Sequence, residues 1–145
     1  MTNLIKFNNA NKSFNKTISI EGDKSLSIRW ALIASQASGK SVATNLLKSE
    51  DVLNTLKSLN KLGIKSKFYK NKCILNGLGL NGFSYKNNVT LNAGNSGTFA
   101  RLILGLLIHS KKKIKIIGDK SLSNRDFLRV IRPLEKFGSK FKSNN

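Results

Sequence analysis

DVLNTLKSLNKLGIKSK at residues 51–67 and DFLRVIRPLEKFGSKFK at residues 126–142 are two copies of one phrase, sharing seven identical positions at a constant offset of 75. Asp51 matches Asp126, Leu59 matches Leu134 and Gly63 matches Gly138. In the first copy Val52, Leu53, Leu56, Leu59 and Leu62 recur at three- and four-residue steps, which gathers them on one face of a helix. The glycine that follows supplies the left-handed backbone on which helices commonly stop. Each copy therefore predicts an amphipathic helix closed by a glycine cap. Pro133 lies inside the second copy, so that helix has to bend or begin late.

Working outward, each copy is preceded by the same order of patterns. A β-like run (17–20, then 89–91) leads into a loop of small and hydroxyl residues, GDKS in one case and NAGNSG in the other. An apolar helix follows at 26–37 or 98–109, carrying Arg29 or Arg101 near its start, and then a strand-like run at 41–46 or 113–117. After the first copy, 64–69 and 72–75 read as a closing hairpin. The pattern predicts an α/β (α+β) fold built from βαβαββ units. The expected organisation is an N-terminal segment at 1–16, a first unit at 17–86, and a second unit at 87–145 that stops before its own hairpin.

The chain has 145 residues, 39% of them hydrophobic, enough for one compact domain. Lys and Arg number 26 against 7 Asp and Glu, a formal net charge of +19. Such a field attracts nucleic acid, anionic lipid and phosphorylated metabolites alike. The charge is spread along the chain, with only Lys111 to Lys113 uninterrupted, which is also what a general bias toward lysine produces. The five arginines, Arg29, Arg101, Arg125, Arg129 and Arg132, offer the planar fork that grips carboxylate and phosphate. The single cysteine, Cys73, rules out an internal disulfide framework or a Cys-rich metal site. The first twenty residues contain no long apolar core, and the longest apolar stretch, 99–108, is about half a membrane span and carries Arg101. These features predict a soluble cytoplasmic protein with no metal.

Three loops could hold anions. Gly22-Asp23-Lys24-Ser25 ends a strand and opens a helix, where backbone N–H groups, the helix dipole and the Lys24 ammonium can face one ligand, with Arg29 a turn further on. Asn95-Ser96-Gly97-Thr98 is a second such loop, with Gly97 allowing close backbone approach. Taken alone, each reads first as an ordinary capped helix. The third, GDKSLSNR at 118–125, repeats GDKSLSIR at 22–29 in seven of eight residues, although the two octamers precede different helices of their units. Lys24, Arg29, Lys120 and Arg125 are thus expected at strand ends, where open α/β sheets collect ligands.

These residues resemble a known family. GDKSLSIRWALIASQASGKS is similar to the opening G-x-K-S-x-S-x-R motif of EPSP synthases, LNAGNSGTFARLILGLL to their second motif around N-[AS]-G-T-x-x-R, and GDKSLSNRDFLRVIRPLEKFG to their third, an arginine-bearing loop and helix. The resemblance runs over residues 17–142. It implies enolpyruvyl transfer from phosphoenolpyruvate to shikimate 3-phosphate, in two lobes of three βαβαββ units each forming an inside-out α/β barrel, without a cofactor. By the same resemblance Lys24, Ser25 and Arg29 hold shikimate 3-phosphate, and Lys24, Gly97 and Arg125 hold phosphoenolpyruvate. Family enzymes are about three times as long, and their acid and base carboxylates lie beyond position 145. The resemblance therefore implies the N-terminal portion of such an enzyme, with no catalytic residue of its own, inactive alone and partnered by the remainder. Two departures stand out: Asp126 occupies the place of a common proline, and Glu21 precedes Gly22 where proline is usual.

Two other readings compete. A UDP-sugar enolpyruvyl transferase shares the fold but normally carries a reactive cysteine in its third loop, and 118–125 has none. A small basic nucleic-acid-binding protein fits the charge, yet such modules interleave aromatics with basic residues, whereas Trp30 and most other aromatics here sit in apolar contexts. His109, beside the lysine run, reads as a helix C-terminal contact rather than a base.

Overall fold

The computed structural model describes Asn15 and residues 17–142. The first helix, α1 (Lys24–Gln36), begins two residues before its expected start because Asp23 caps it. The Asp23 carboxylate accepts the Leu26 N–H at 2.7 Å. Its buried face is Ser27, Ile28, Ala31, Leu32, Ala34 and Ser35, and the Ser35 hydroxyl, fully buried, donates to the Leu32 carbonyl at 2.6 Å. This small-residue stripe lets backbone approach backbone. At Gly77 a Cβ would collide with the carbonyl oxygens of Ala34 and Ala37, so glycine there is what seats the strand against α1.

That strand belongs to an antiparallel sheet of β1 (Ser38–Thr44), β2 (Lys65–Tyr69) and β3 (Lys72–Leu78), in the order β1-β3-β2. Cys73, Leu75 and Gly77 point alternate residues of β3 into the core, as the two-residue period of a strand requires. Between β1 and β2 runs α2 (Glu50–Lys61), with Glu50 and Asp51 in its first turn and Lys61 in its last, all favourable to the dipole. It ends as the repeat predicts. Gly63 has φ +94°, its N–H donates to Asn60 and the Ile64 N–H to Leu59, at 3.0 and 3.1 Å, which is a Schellman cap. The hairpin follows directly.

The second half is built on two parallel strands, β4 (Val89–Asn92) and β5 (Ile114–Ile117), linked across α3 (Gly97–Leu106). Phe99, Ala100 and Ile103 of α3 are buried and join one core with Ile28, Leu32, Leu59, Leu91 and Leu122. Burying a side chain of this size contributes about 1.5–3 kcal/mol. The Ser58 hydroxyl reaches the Asn92 carbonyl at 3.0 Å and Lys61 the Thr90 carbonyl at 2.8 Å, tying α2 to β4. After β5 come the short α4 (Lys120–Ser123) and α5 (Leu128–Glu135).

Three expectations are corrected. Among the described residues, 17–20 pair with no strand, and they are exposed: a strand needs a neighbour to take its backbone groups, and the Asn45 side-chain amide, at 3.1 Å from the Ile20 carbonyl, is the one partner described there. The helix expected at 98–109 stops at Leu106, where the Leu107 N–H is shared between Ile103 and Leu104 carbonyls, so His109 lies past its end. The third-motif segment is two helices rather than one, and α5 begins at Leu128, late enough that Pro133 sits near its final turn.

Candidate anion-binding site

The parallel pair decides where the site forms. Both β4 and β5 end at the same edge, and their outgoing loops bind each other: the Ala93 N–H donates to Ile117 at 2.8 Å and the Asp119 N–H to Gly94 at 2.9 Å. A Cβ on Gly118 would collide with Leu122 and stand 2.9 Å from the Gly94 carbonyl, so this contact depends on glycine. The first turns of α3 and α4 emerge side by side.

Each of these helices is capped, as is α1. Ser96 accepts the Phe99 N–H at 3.1 Å, and Asp119 accepts the Leu122 N–H at 2.7 Å. The caps explain the repeated octamer. Asp23 and Asp119 close their helices alike, and the Ser27 and Ser123 hydroxyls donate back to those aspartates' carbonyls at 2.7 and 2.8 Å. The one differing position is where the copies part: Ile28 is buried in the core and α1 continues, whereas Asn124 becomes the C-cap of α4. A cap takes only one donor, so the first N–H groups of α3, at Gly97 and Thr98, have no partner within the helix.

Around Gly97 stand the arginines. A Cβ on this buried glycine would lie 2.7 Å from Arg101 Nη1 and 2.9 Å from Arg125 Nη1. Arg29 and Arg129 line the same depression, of about 210 Å³, together with Gly97, Thr98, Arg101 and Leu102. Arg125 of the second octamer thus stands at Gly97, and Arg29 of the first lines the depression that Gly97 borders. Arg125 donates to the Asn95 side-chain oxygen at 2.9 Å. Arg101 donates to the Asp126 carbonyl at 3.1 Å and lies 5.1 Å over the Phe127 ring, while its buried Nε has no partner among the described residues. None of these guanidiniums is in an ion pair with a carboxylate among the described residues. The cluster is therefore a concentration of positive charge beside a helix N-terminus, fitted to an anion with several oxygens.

The remaining expected residues are placed differently. Lys24 is not a free cation: its ammonium stands 3.0 Å from Asp51, one of the two acids in the first turn of α2. Asp51 in turn lies beside Gly94, so Lys24 is tethered next to the 93–97 loop. Ser25 is half-buried in the first turn of α1 and makes no hydrogen bond to the arginine cluster among the described residues. Asp126, the departure at the third motif, turns its carboxylate to the Leu128 N–H at 2.7 Å, opening α5. Arg101 and Arg129 were visible in the sequence as retained arginines; for Arg101, its place one helical turn after Gly97 in α3 was the signal that links it to the site. Cys73 lies fully buried in β3, its thiol pushed up by burial, far in kind from a reactive loop cysteine. Among the described residues no three His, Cys, Asp or Glu side chains gather to hold a metal, and no helix is long and apolar enough to cross a membrane.

This architecture, a mixed α/β chain with paired strand-to-helix loops that present cations, defines the enolpyruvyl transferase fold. The chain belongs to the EPSP synthase (3-phosphoshikimate 1-carboxyvinyltransferase) family, whose profile matches residues 9–145. A 3-phosphoshikimate 1-carboxyvinyltransferase of Streptococcus pyogenes serotype M49 is 40% identical over 122 residues, which is 84% of this chain and 28% of the relative. Two structures of EPSP synthase from Acinetobacter baumannii superpose with TM-scores of 0.81 and 0.79 at 32% and 33% identity. They cover 94% and 90% of this chain but only 31% and 30% of theirs. The chain thus spans less than a third of the length of the proteins it matches.

Proposed function

We propose that this chain supplies the anion-holding face of an enzyme that transfers the enolpyruvyl group of phosphoenolpyruvate to shikimate 3-phosphate in the cytoplasm. The observation that carries this reading is the placement of Arg101 and Arg125 against Gly97, with Arg29 lining the same depression, none of the three in an ion pair with a carboxylate among the described residues. Phosphoenolpyruvate brings a carboxylate and a phosphate; Gly97 and Arg125 would take it at the α3 N-terminus. Shikimate 3-phosphate would be held by Arg29 and Ser25. Lys24 would serve both by leaving Asp51, since its own side chain is half exposed and a multiply charged substrate competes for its ammonium. In the reaction the acceptor hydroxyl adds to the enolpyruvyl carbon bearing the phosphate while the methylene gains a proton. Loss of phosphate and of one methyl proton then restores the double bond.

Those proton transfers need a positioned acid and base, and the arginine cluster offers neither. We assign them to the part of the relatives that has no counterpart in these 145 residues. The repeated units at 17–86 and 87–145 are, on the same reading, successive copies of one building block, supported by their matching Schellman ends.

The test is phosphate release with both substrates present, for the chain alone and after addition of a polypeptide equivalent to the rest of a relative. The expected result is no turnover by the chain alone and turnover on mixing; turnover by the chain alone contradicts the assignment of the proton transfers. Arg125→Lys should weaken phosphoenolpyruvate binding by about tenfold, because one ammonium cannot reproduce a two-pronged contact, and unchanged affinity would remove Arg125 from the site.

A further inference from the structure

The arginine beside Gly97 does not hold its own position. Arg125 follows the four-residue α4 and sits exposed in a bend of the chain. An arginine in such a place has many rotamers, and fixing it takes about 2 kcal/mol of side-chain entropy. Among the described residues its one hydrogen bond to another side chain is to Asn95, thirty residues away on the loop after β4, at 2.9 Å. Asn95 is held in turn by Asp119, whose carboxylate accepts the Asn95 amide N–H at 2.6 Å.

The chemistry of the three groups fixes the direction of the chain. A carboxylate only accepts and a guanidinium only donates, so the Asn95 amide has one satisfactory orientation, nitrogen toward Asp119 and oxygen toward Arg125. Asp119 is itself fixed, because its other oxygen caps α4 through the Leu122 N–H and its own N–H is bonded to Gly94. The path runs from the β4–β5 loop contact, through Asp119 and Asn95, to the guanidinium that flanks Gly97.

We propose that Asn95 is a positioning residue for Arg125: oriented by Asp119, its side-chain oxygen fixes the guanidinium against Gly97 before any ligand arrives. Ligand binding then no longer bears the full cost of ordering that side chain, which is how preorganisation raises affinity. The role of Arg125 toward phosphoenolpyruvate rests on the function proposed above; the positioning of Arg125 does not. Asp119 also carries a mark of the link: its carboxyl is held below the usual carboxylate range, first by the Asn95 hydrogen bond and then by the Leu122 N–H, with the Arg125 charge adding to them.

The experiment uses the full chain with three variants, Asn95→Ala, Asp119→Asn and Arg125→Ala. Asn95 is exposed in a loop, so its replacement leaves the core intact, and Asp119→Asn keeps a residue that caps helices well while freeing the amide to turn over. Two NMR readouts need no ligand: the order parameter of the Arg125 side chain and the titration of the Asp119 carboxyl. In Asn95→Ala, Arg125 order should fall to that of an exposed arginine and the Asp119 pKa should rise toward its ordinary value, with a smaller loss of Arg125 order in Asp119→Asn. An Arg125 side chain equally ordered in the wild type and Asn95→Ala overturns the proposal. Phosphoenolpyruvate titrations complete a double-mutant cycle. Asn95→Ala should cost about tenfold in affinity and nothing more once Arg125 is already alanine, whereas additive losses would mean that Asn95 acts apart from Arg125. If the wild-type chain fails to bind phosphoenolpyruvate, the proposed function loses its support while the order parameters still decide the positioning role.

Discussion

The two copies of the repeated phrase share a local structure and differ in what surrounds it. α2 and α5 both close with a glycine at φ near +90°, Gly63 at +94° and Gly138 at +90°, and both make the same pair of capping bonds, Gly138 to Glu135 and Ser139 to Leu134 in the second copy. Yet α2 buries Val52, Thr55, Leu56, Ser58 and Leu59 while α5 buries none of its residues. The reason is the next element. Past Gly63 the chain turns into β2 and β3, which with β1 form the sheet that α1 and α2 cover; past Gly138 no strand follows among the described residues. Phe137 is left 77% exposed and Leu128 50%. Local sequence sets where a helix stops, and burial depends on a partner that the helix does not encode.

The sharpest way to break this comparison is at its equivalent leucines. Leu59→Ala removes a fully buried side chain and should cost about 2–5 kcal/mol in denaturant unfolding. Leu134→Ala, on the uncovered helix, should cost less than about 1 kcal/mol. Equal losses would show that the α5 face is covered in solution. A finer contrast lies at the glycines. Gly138→Ala meets open space and only the left-handed backbone penalty, about 1 kcal/mol. Gly63→Ala adds a contact at 3.0 Å with the Ser84 carbonyl, so its loss should exceed that of Gly138→Ala by several tenths of a kcal/mol, read as a larger fall in midpoint at unchanged slope.

What was legible in the sequence was local. Helix periods, glycine stops and the hairpin at β2–β3 each depend on residues a few positions apart, and all are present. The converging loops were legible too, because β4 and β5 with α3 between them follow the strand–helix–strand pattern whose ends collect ligands. What was hidden was nonlocal. The run at 17–20 has the composition of a strand, but pairing depends on a neighbour that composition does not name. Lys24 read as a free cation because Asp51, twenty-seven positions on, gave no sign of turning toward it. The Asp119–Asn95–Arg125 chain spans two loops separated by a helix and a strand, and no spacing announces it. Even the repeated octamer needed the fold: its identity reflects a shared aspartate cap, and its single difference, Ile28 against Asn124, marks where one helix enters the core and the other ends.

The central claim is that Gly97 and the arginines around it form one anion site rather than part of a diffuse basic surface. An amide and side-chain NMR titration of the full chain with phosphoenolpyruvate tests it directly. The account predicts saturable shifts concentrated at Gly97, Thr98, Arg101 and Arg125, reached only at much higher ligand concentration in Arg125→Ala and only mildly weakened between low and physiological salt. Shifts that spread over Lys111 to Lys113 and other surface lysines, fail to saturate and vanish steeply with salt would contradict it.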